Sequence, residues 1–162
     1  MRRPRLLLST VLLSLFAWTG PGPAALAQQS SPVPKNCQLT ISGNDAIQYD
    51  KKTMKADPKC KEIEVILIHV GKLPIQAMGH NWVLARTADI EGIVADGAKA
   101  GLENNYVKPG DERVIAATKV IGGGEKTSVR FPVSALKQGE SYTYVCTFPG
   151  HSALMRGTFT LG

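Results

Sequence analysis

The sequence predicts an all-β protein, a Greek-key β-sandwich of about eight short strands with one short helical insert. Three observations lead to this prediction. Short segments in which apolar and polar residues alternate, as they do in half-buried strands, recur along the chain. Gly, Pro, Asn and Asp separate these segments at regular intervals. Between Thr87 and Tyr106 the repeat lengthens to about four residues, which indicates a helix.

Residues 1–27 have the composition of a secretory signal peptide. Three arginines precede an apolar run over residues 6–18, and Ala25-Leu26-Ala27 supplies a small-x-small cleavage site. The apolar run is too short to span a bilayer comfortably, so no membrane anchor is expected after cleavage. Cleavage leaves 135 of the 162 residues, enough for one domain.

The charge of the mature chain argues against nucleic-acid binding. The signal carries three of the 19 basic residues and none of the 13 acidic ones, so the net charge falls from +6 to +3. The remaining Lys and Arg are scattered among acidic residues, whereas nucleic-acid binding requires a basic stripe or cluster.

Residues 28–36 form a polar, proline-containing lead-in that we expect to stay mobile, and the folded domain is predicted to span residues 37–162. Three cysteines in an exported protein suggest one disulfide and one free thiol, and three pairings of Cys37, Cys60 and Cys146 are possible. If Cys146 is a metal ligand, Cys37 pairs with Cys60. That bridge would contribute roughly 3 kcal/mol of stability.

Strands dominate the first half of the domain. Apolar and polar residues alternate from Leu39 to Tyr49, with a turn at Gly43-Asn44-Asp45. Residues 61–69 begin with the same alternation and then become apolar throughout, as expected for a strand buried on both faces. A glycine and a proline end this strand, and residues 78–84 open another.

The helical insert is predicted from apolar residues that recur at every fourth position: Ile90, Val94, Ala98 and Leu102. The glycines at positions 92, 97 and 101 are expected to break this helix. After a Pro109-Gly110-Asp111 turn the strand pattern returns in three segments, residues 114–117, 120–121 and 129–133.

The most specific chemistry lies near the C-terminus, where Cys146, His151 and Met155 are spaced as Cys-x4-His-x3-Met. Cys146 is expected to end a strand with its sulfur inward, and the Pro149-Gly150 turn returns His151 and Met155 to the same pocket. Each of these residue types alone is usually a core residue. Together, a thiolate, an imidazole and a thioether favour copper, since with a second imidazole they form a blue-copper site with a long axial Met. Zinc would gain nothing from the thioether.

The second imidazole belongs to His80 or His69, because the chain has only three histidines. Gly79 beside His80 would let the backbone come close to an ion, which favours His80. His69 ends a strongly apolar strand, where a packed and hydrogen-bonded histidine is expected.

Several motifs together match a known family: Gly43-Asn44-Asp45, Leu73-Pro74, residues 78–84, Val114-Ile115-Ala116, Gly124-Glu125-Lys126 and residues 146–155. On these motifs, nearly all of residues 36–161 resembles the azurins, the periplasmic blue-copper proteins of bacteria in the cupredoxin family. The resemblance implies one copper ion bound by His80, Cys146 and His151, with Met155 and the carbonyl of Gly79 as weak axial contacts. It also implies a Cys37–Cys60 disulfide and a cupredoxin-like sandwich.

The sequence departs from the azurin pattern at Ile47 and Ala98, where Met is frequent, and at Val70, where Pro commonly follows the histidine. These departures leave the copper ligands untouched. They bear on the choice of partner and on any pH response linked to His69.

The predicted function is that of a one-electron carrier that cycles Cu(II) and Cu(I) in the periplasm, not an enzyme. Multicopper oxidases and copper nitrite reductases need several more histidines for additional copper ions. The alternative is a copper store or chaperone, which would normally offer exposed Cys or Met clusters, whereas the mature chain has only Met54, Met78 and Met155. The expected partners of a monomeric carrier are redox proteins such as c-type cytochromes and periplasmic dehydrogenases or reductases, in transient contact.

A docking surface is predicted around His151. Its loop contains Phe148, Pro149 and Leu154, and an apolar loop marks an interaction site where core packing does not explain it. The resemblance adds three residues to this apolar patch, Leu73, Ala77 and Met78, with Ile47 as a further candidate.

Overall fold

Two mixed β-sheets pack face to face in this computed structural model, which describes residues 31–162. Residues 32–162 form one compact unit. The predicted signal peptide, residues 1–27, lies outside the described residues, so it stays a prediction. In the part of the chain that is described, no helix is both long enough and apolar enough to cross a membrane.

The described residues form nine strands, and the predicted fold class is confirmed. The strands are β1 (Gln38–Asn44), β2 (Gln48–Tyr49), β3 (Thr53–Ala56), β4 (Glu62–His69), β5 (Val83–Arg86), β6 (Val114–Ala117), β7 (Lys126–Pro132), β8 (Tyr142–Val145) and β9 (Arg156–Leu161). One sheet has the order β2-β1-β4-β7 and the other β3-β9-β8-β5-β6. The β1–β4 and β3–β9 pairs are parallel, and the remaining pairs are antiparallel.

The main core lies between the two sheets. Its largest fully buried side chains include Ile41 and Leu67 from one sheet and Tyr144 and Phe159 from the other, around Trp82. The indole ring of Trp82 lies 5.9 Å from the ring of Tyr144, measured between centroids. Apolar burial of this kind is the main source of stability for a domain of this size.

The prediction that β4 is buried on both faces is wrong. Ile63, Val65 and Leu67 point into the core and are fully buried, whereas Ile66 and Ile68 on the other face are only half-buried. A strand whose outer face meets partly covered surface can still carry β-branched residues, because these residues favour extended backbone. Apolar composition alone therefore did not show which faces are covered.

Burial on both faces occurs instead in β5 and β8, because the helix α2 (Ile90–Ala100) covers the outer face of their sheet. Ile90 and Ile93 of the helix form a second apolar cluster with Val83, Ala85 and Val145. Val145, which precedes the inward-facing Cys146 and so points to the opposite face, is buried under the helix.

The glycines at positions 92 and 97 do not break α2, contrary to the prediction, and the helix ends only at Gly101, whose φ is 76°. Its buried positions, Ile90, Ile93 and Gly97, follow the usual three-and-four spacing of a helix, and Ala98 is exposed. A Cβ at Gly97 would lie 2.1 Å from the carbonyl oxygen of Tyr106. Glycine is needed there so that the following loop can cross the helix closely.

The segment that was predicted to open a strand at Met78 begins with a helical turn instead. A short helix, α1 (Ile75–Met78), follows Pro74, whose carbonyl accepts hydrogen bonds from the amides of Ala77 and Met78. His80 pairs with Ile121 in a single β-bridge, and the strand proper begins at Val83. Met78 therefore lies in the helical turn and not in a strand.

The N-terminal end of the domain packs closely. Val33 is 6% exposed and belongs to the main core, although it falls within the predicted lead-in of residues 28–36. The predicted Cys37–Cys60 disulfide is confirmed, with Cα atoms 5.9 Å apart. It joins the start of β1 to the turn before β4, and Cys146 is the free cysteine.

Arg113 ties α2 to the loop before β6, and this contact predicts a pH-dependent contribution to stability. Its guanidinium donates to Asp96 at 2.7 Å and to Asp111 at 2.6 Å and 2.8 Å. These hydrogen bonds hold the pKa of both carboxyls below their ordinary value of 3.8. A lowered folded-state pKa stabilises the fold above the unfolded-state pKa, and the stabilisation disappears as the pH falls through the folded value.

We therefore expect Arg113→Gln to lower the denaturant midpoint at pH 7, and the difference from the parent chain to shrink below about pH 4. Arg86→Gln is the control, since its ion pair with Asp89 joins a largely exposed arginine to the start of the helix. A deficit of Arg113→Gln that stays equal at pH 7 and pH 2.5 would show that the arginine acts by packing alone.

Candidate metal centre

Three of the predicted ligands come from one tight turn. Cys146 follows directly after β8, and its amide donates to the carbonyl oxygen of Met155 at 2.9 Å. The amide of Met155 in turn donates to the carbonyl oxygen of His151 at 2.9 Å. These backbone hydrogen bonds close the loop that Pro149-Gly150 begins, where Gly150 has a φ of 83° that favours glycine. Cys146, His151 and Met155 are all buried.

His80 lies between α1 and β5 with one ring nitrogen committed and the other free. Its Nε2–H donates to the carbonyl oxygen of Asn44 at 2.9 Å, which fixes the orientation of the ring. Its Nδ1 is buried and has no hydrogen-bond partner. Because an unpaired buried nitrogen is costly, it indicates a position that another group fills in the working protein.

The donor atoms of His80, Cys146 and His151 all lie within 4.8 Å of one another. The Sγ atom of Cys146 is 3.7 Å from Nδ1 of His151. This is the one group of three or more His, Cys, Asp or Glu side chains with metal-binding spacing among residues 31–162. One thiolate and two imidazoles match the borderline-soft donors that copper prefers, so these residues can bind one copper ion.

His69 lies beside this cluster but has no donor to spare. Its Nδ1 accepts a hydrogen bond from the amide of Gly71 at 3.0 Å, and its Nε2–H donates to the carbonyl oxygen of Met78 at 2.8 Å. The ring is fully buried and stacks on His80, with centroids 4.2 Å apart. Its position fits a role in packing and orienting His80.

We expect His80→Gln to lose the absorption band of the copper-loaded protein or shift it strongly, and His69→Gln to leave the band close to its original position. The first change removes a candidate donor, whereas the second changes a neighbour of that donor. Visible absorption after addition of one equivalent of Cu(II) measures both variants. A band lost in His69→Gln and kept in His80→Gln would transfer the second imidazole to His69.

Asn81 holds the two ligand-bearing segments together. Its side-chain oxygen accepts the amide of Thr147 at 2.9 Å, and its side-chain nitrogen donates to the hydroxyl of Thr147 at 2.7 Å. The same nitrogen donates to the carbonyl oxygen of Asn105, and the hydroxyl of Tyr49 donates to the backbone carbonyl of Asn81. Residues next to His80 and Cys146 are therefore locked to each other.

Sequence reasoning missed these roles of Asn81 and Tyr49. The one feature of the sequence that could have pointed to Asn81 is its position next to His80, a candidate ligand. The contact from Tyr49 depends on two segments 32 residues apart, so no local pattern could have shown it.

Two glycines make room for the site. A Cβ at Gly43 would lie 2.8 Å from Cδ2 of His80 and 3.1 Å from Cε of Met155. A Cβ at Gly79 would lie 2.6 Å from Val120 and 3.0 Å from Phe148. The reason for glycine at position 79 is thus close packing, and contact between its carbonyl and a copper ion stays a prediction.

Burial sets the protonation of the candidate ligands. It lowers the pKa of His80, and it lowers the pKa of His151 to about 4, with a smaller effect from the neighbouring His80 and His69. It raises the pKa of Cys146 to about 11, although the amides of Asn81 and Phe148 act in the opposite direction. At neutral pH both imidazoles are ready to bind a metal, whereas the thiol must lose its proton as the metal binds.

The residues of the predicted apolar patch lie mostly at the surface. Leu154 is 57% exposed and Leu73 is 41% exposed, and these are two of the three large apolar side chains that are exposed in the described residues. Ala77 and Pro149 are exposed and Met78 is half-buried. Phe148 is only 8% exposed and packs its ring 4.6 Å from that of His151. Ile47 is half-buried and packs against the main core.

Comparisons with known proteins agree with this site. The sequence profile described as "Copper binding proteins, plastocyanin/azurin family" matches residues 35–162. The azurin of Achromobacter denitrificans is 56% identical over 137 residues, which cover 84% of this chain and 92% of that protein. The azurin of Pseudomonas aeruginosa is 55% identical over 125 residues, which cover 77% of this chain and 84% of that protein. The solved structure of an azurin (Az-iso2) from Methylomonas sp. strain J matches with a TM-score of 0.76 and 49% identity, covering 78% of this chain and 98% of that one.

Proposed function

Because the chain belongs to the plastocyanin/azurin family of copper-binding proteins, we propose that it is a periplasmic electron carrier with one blue copper site. We assign the copper ligands to His80, Cys146 and His151. Met155 and the carbonyl oxygen of Gly79 complete the set as weak axial contacts. The bound copper supplies a one-electron couple between Cu(II) and Cu(I).

The observation that carries the proposal is the unpaired Nδ1 of His80, which lies in a cluster with the thiol of Cys146 and the imidazole of His151. The chain holds these donors by hydrogen bonds that do not involve a metal, through Asn44 and through the Asn81–Thr147 contacts. A site that is positioned in advance needs little rearrangement when the charge of the ion changes. Burial of all three donors also excludes water from the site.

The alternative of a copper store or chaperone finds no support in the described residues. Met54 and Met155 are buried, Met78 is half-buried, and the thiols of Cys37 and Cys60 form a disulfide. Exchange of copper with a partner needs exposed soft donors, and the free thiol of Cys146 is fully buried. His69 has both ring nitrogens hydrogen-bonded, which leaves it no donor for a second copper ion.

Copper titration of the mature chain tests the proposal. We expect one equivalent of Cu(II) to produce an intense absorption band in the red, and cyclic voltammetry to show a reversible one-electron wave. Zinc is the control metal, because it is colourless and has no redox couple under these conditions. A colourless copper adduct, or one that releases copper on reduction, would contradict the assignment.

Met155 is expected to tune the site rather than to form it. Its side chain is fully buried and closes one side of the pocket beside Gly43. A long axial bond adds little affinity but biases the balance between the two oxidation states. We therefore expect Met155→Leu to remain blue and to have a raised reduction potential, measured by voltammetry. Complete loss of copper binding in this variant would show that the thioether is a principal ligand.

A further inference from the structure

Lys52 lies beside the ligand loop at the edge of the apolar patch. Its Nζ donates to the carbonyl oxygen of Leu154 at 3.0 Å, a contact between residues 102 positions apart in the chain. Leu154 is more exposed than Leu73, the other large exposed side chain of the predicted patch, at 57% against 41%. The hydrogen bond therefore places a positive charge directly next to a side chain that a docking partner would cover.

No carboxylate among residues 31–162 lies within ion-pair distance of this ammonium group. None of the ion pairs in the described part of the chain contains Lys52. The nearest carboxylate in sequence, Asp50, accepts the amide of Ser42 at 2.8 Å. The other cation at the loop is Arg156, which donates to the carbonyl oxygen of Ser152 and pairs with Glu91 at 2.9 Å.

The opposite side of the patch carries no such excess of charge. Asp45 accepts the amide of Lys72 at 2.8 Å, next to Leu73. One acidic and one basic residue thus adjoin Leu73, whereas Lys52 adjoins Leu154 without an acidic ion-pair partner among the described residues. The charge at the margin of the patch is therefore asymmetric.

We propose that the patch docks acidic redox proteins, which place carboxylates opposite Lys52 at the Leu154 side. This inference rests on the proposed function and specifies its partner. Apolar contact is non-directional, so it cannot by itself orient a partner. A charge at one margin speeds the encounter and selects one rotation of the partner over the patch.

Protection of a sheet edge is a second reason for surface lysines in this region, and it applies to Lys55. Strand β3 lies at the edge of the five-stranded sheet, where lysines discourage pairing with other chains. Lys52 precedes this strand, and its ammonium group is bonded to the ligand loop. Lys55→Gln is therefore a matched control for Lys52→Gln, with the same change in net charge.

The test compares three rates in the copper-loaded mature chain at low ionic strength. These are electron transfer with an acidic c-type cytochrome, electron transfer with a basic c-type cytochrome, and self-exchange. We expect Lys52→Gln to slow electron transfer with the acidic cytochrome by roughly two- to fivefold, the effect of one surface charge pair. The same variant should speed electron transfer with the basic cytochrome and self-exchange. These differences should vanish at about 1 M salt, where charges more than about 3 Å apart are screened. Lys55→Gln should change each rate less than Lys52→Gln does.

The directions of the rate changes distinguish a docking role of Lys52 from a role in holding the ligand loop. If Lys52 serves only to hold the carbonyl of Leu154, its loss will shift all three rates in the same direction, and the inference is overturned. Unchanged rates, or equal effects in Lys55→Gln, also overturn it. The parent chain is measured first, because absence of a blue band or of electron exchange there would overturn the proposed function itself.

Discussion

Cys146→Ser is expected to abolish the blue colour of the copper-loaded protein completely. The band arises from charge transfer between a thiolate and Cu(II), and a serine hydroxyl neither ionises at neutral pH nor offers a soft donor. Cys146 is fully buried and lies 3.7 Å from the Nδ1 atom of His151, so its sulfur is at the centre of the candidate site. Visible absorption after copper addition is the measurement, and a persistent blue band would overturn the assignment.

The control for this variant is the double change Cys37→Ala and Cys60→Ala, which removes the disulfide and leaves the candidate site intact. It should retain the blue band but unfold at lower denaturant concentration, with a loss of roughly 3 kcal/mol for a loop of this length. The two cysteine variants therefore separate copper binding from global stability. Circular dichroism of Cys146→Ser should show a folded chain, since the change is nearly isosteric.

Charges placed in the apolar patch are expected to slow electron transfer without changing the copper site. Leu154 is exposed, and its amide donates to the carbonyl oxygen of His151 at 3.0 Å, whereas Met78 is a half-buried residue of the same patch. Leu154→Asp and Met78→Lys therefore place a charge in the patch without removing a candidate ligand. Two copies that meet through this patch would bring like charges together, or bury them against apolar surface. Such contacts cost several kcal/mol, so self-exchange should fall tenfold or more.

The control for the patch variants is Ala135, an exposed residue that lies beside Tyr142, at the end of β8 opposite to Cys146. Ala135→Lys and Ala135→Asp introduce the same charges away from the ligand loop and should leave self-exchange within about twofold of the parent chain. The blue band should be unchanged in all four variants. Rates that are unaltered in both patch variants would mean that electrons leave by another surface.

Much of the site could be predicted because its chemistry is local. Cys146, His151 and Met155 lie within ten residues around a Pro149-Gly150 turn, so neighbouring positions in the sequence are also neighbours in space. The disulfide followed from counting, since one cysteine of three was assigned to the metal. The strand periodicity was also a local property, and it predicted the fold class correctly.

Other features depend on which elements pack together, and the sequence could not determine them. Residues 65–68 of β4 form an apolar run and β8 contains a polar Thr143, yet it is β8 that is buried on both faces, because α2 covers that sheet. Gly92 and Gly97 look like helix breakers, yet they allow Arg113 and the Tyr106 backbone to approach the helix closely. In each case a distant segment sets the role of the residue.

The choice between the two candidate histidines shows the same division most clearly. The sequence determined that a second imidazole was available at His69 or His80, and it determined the chemistry of the donor set. Only the tertiary structure decided that Nδ1 of His80 is left unpaired while both ring nitrogens of His69 are hydrogen-bonded. Donor type is a property of the side chain itself, whereas the availability of a donor depends on backbone groups that folding brings to it from elsewhere in the chain.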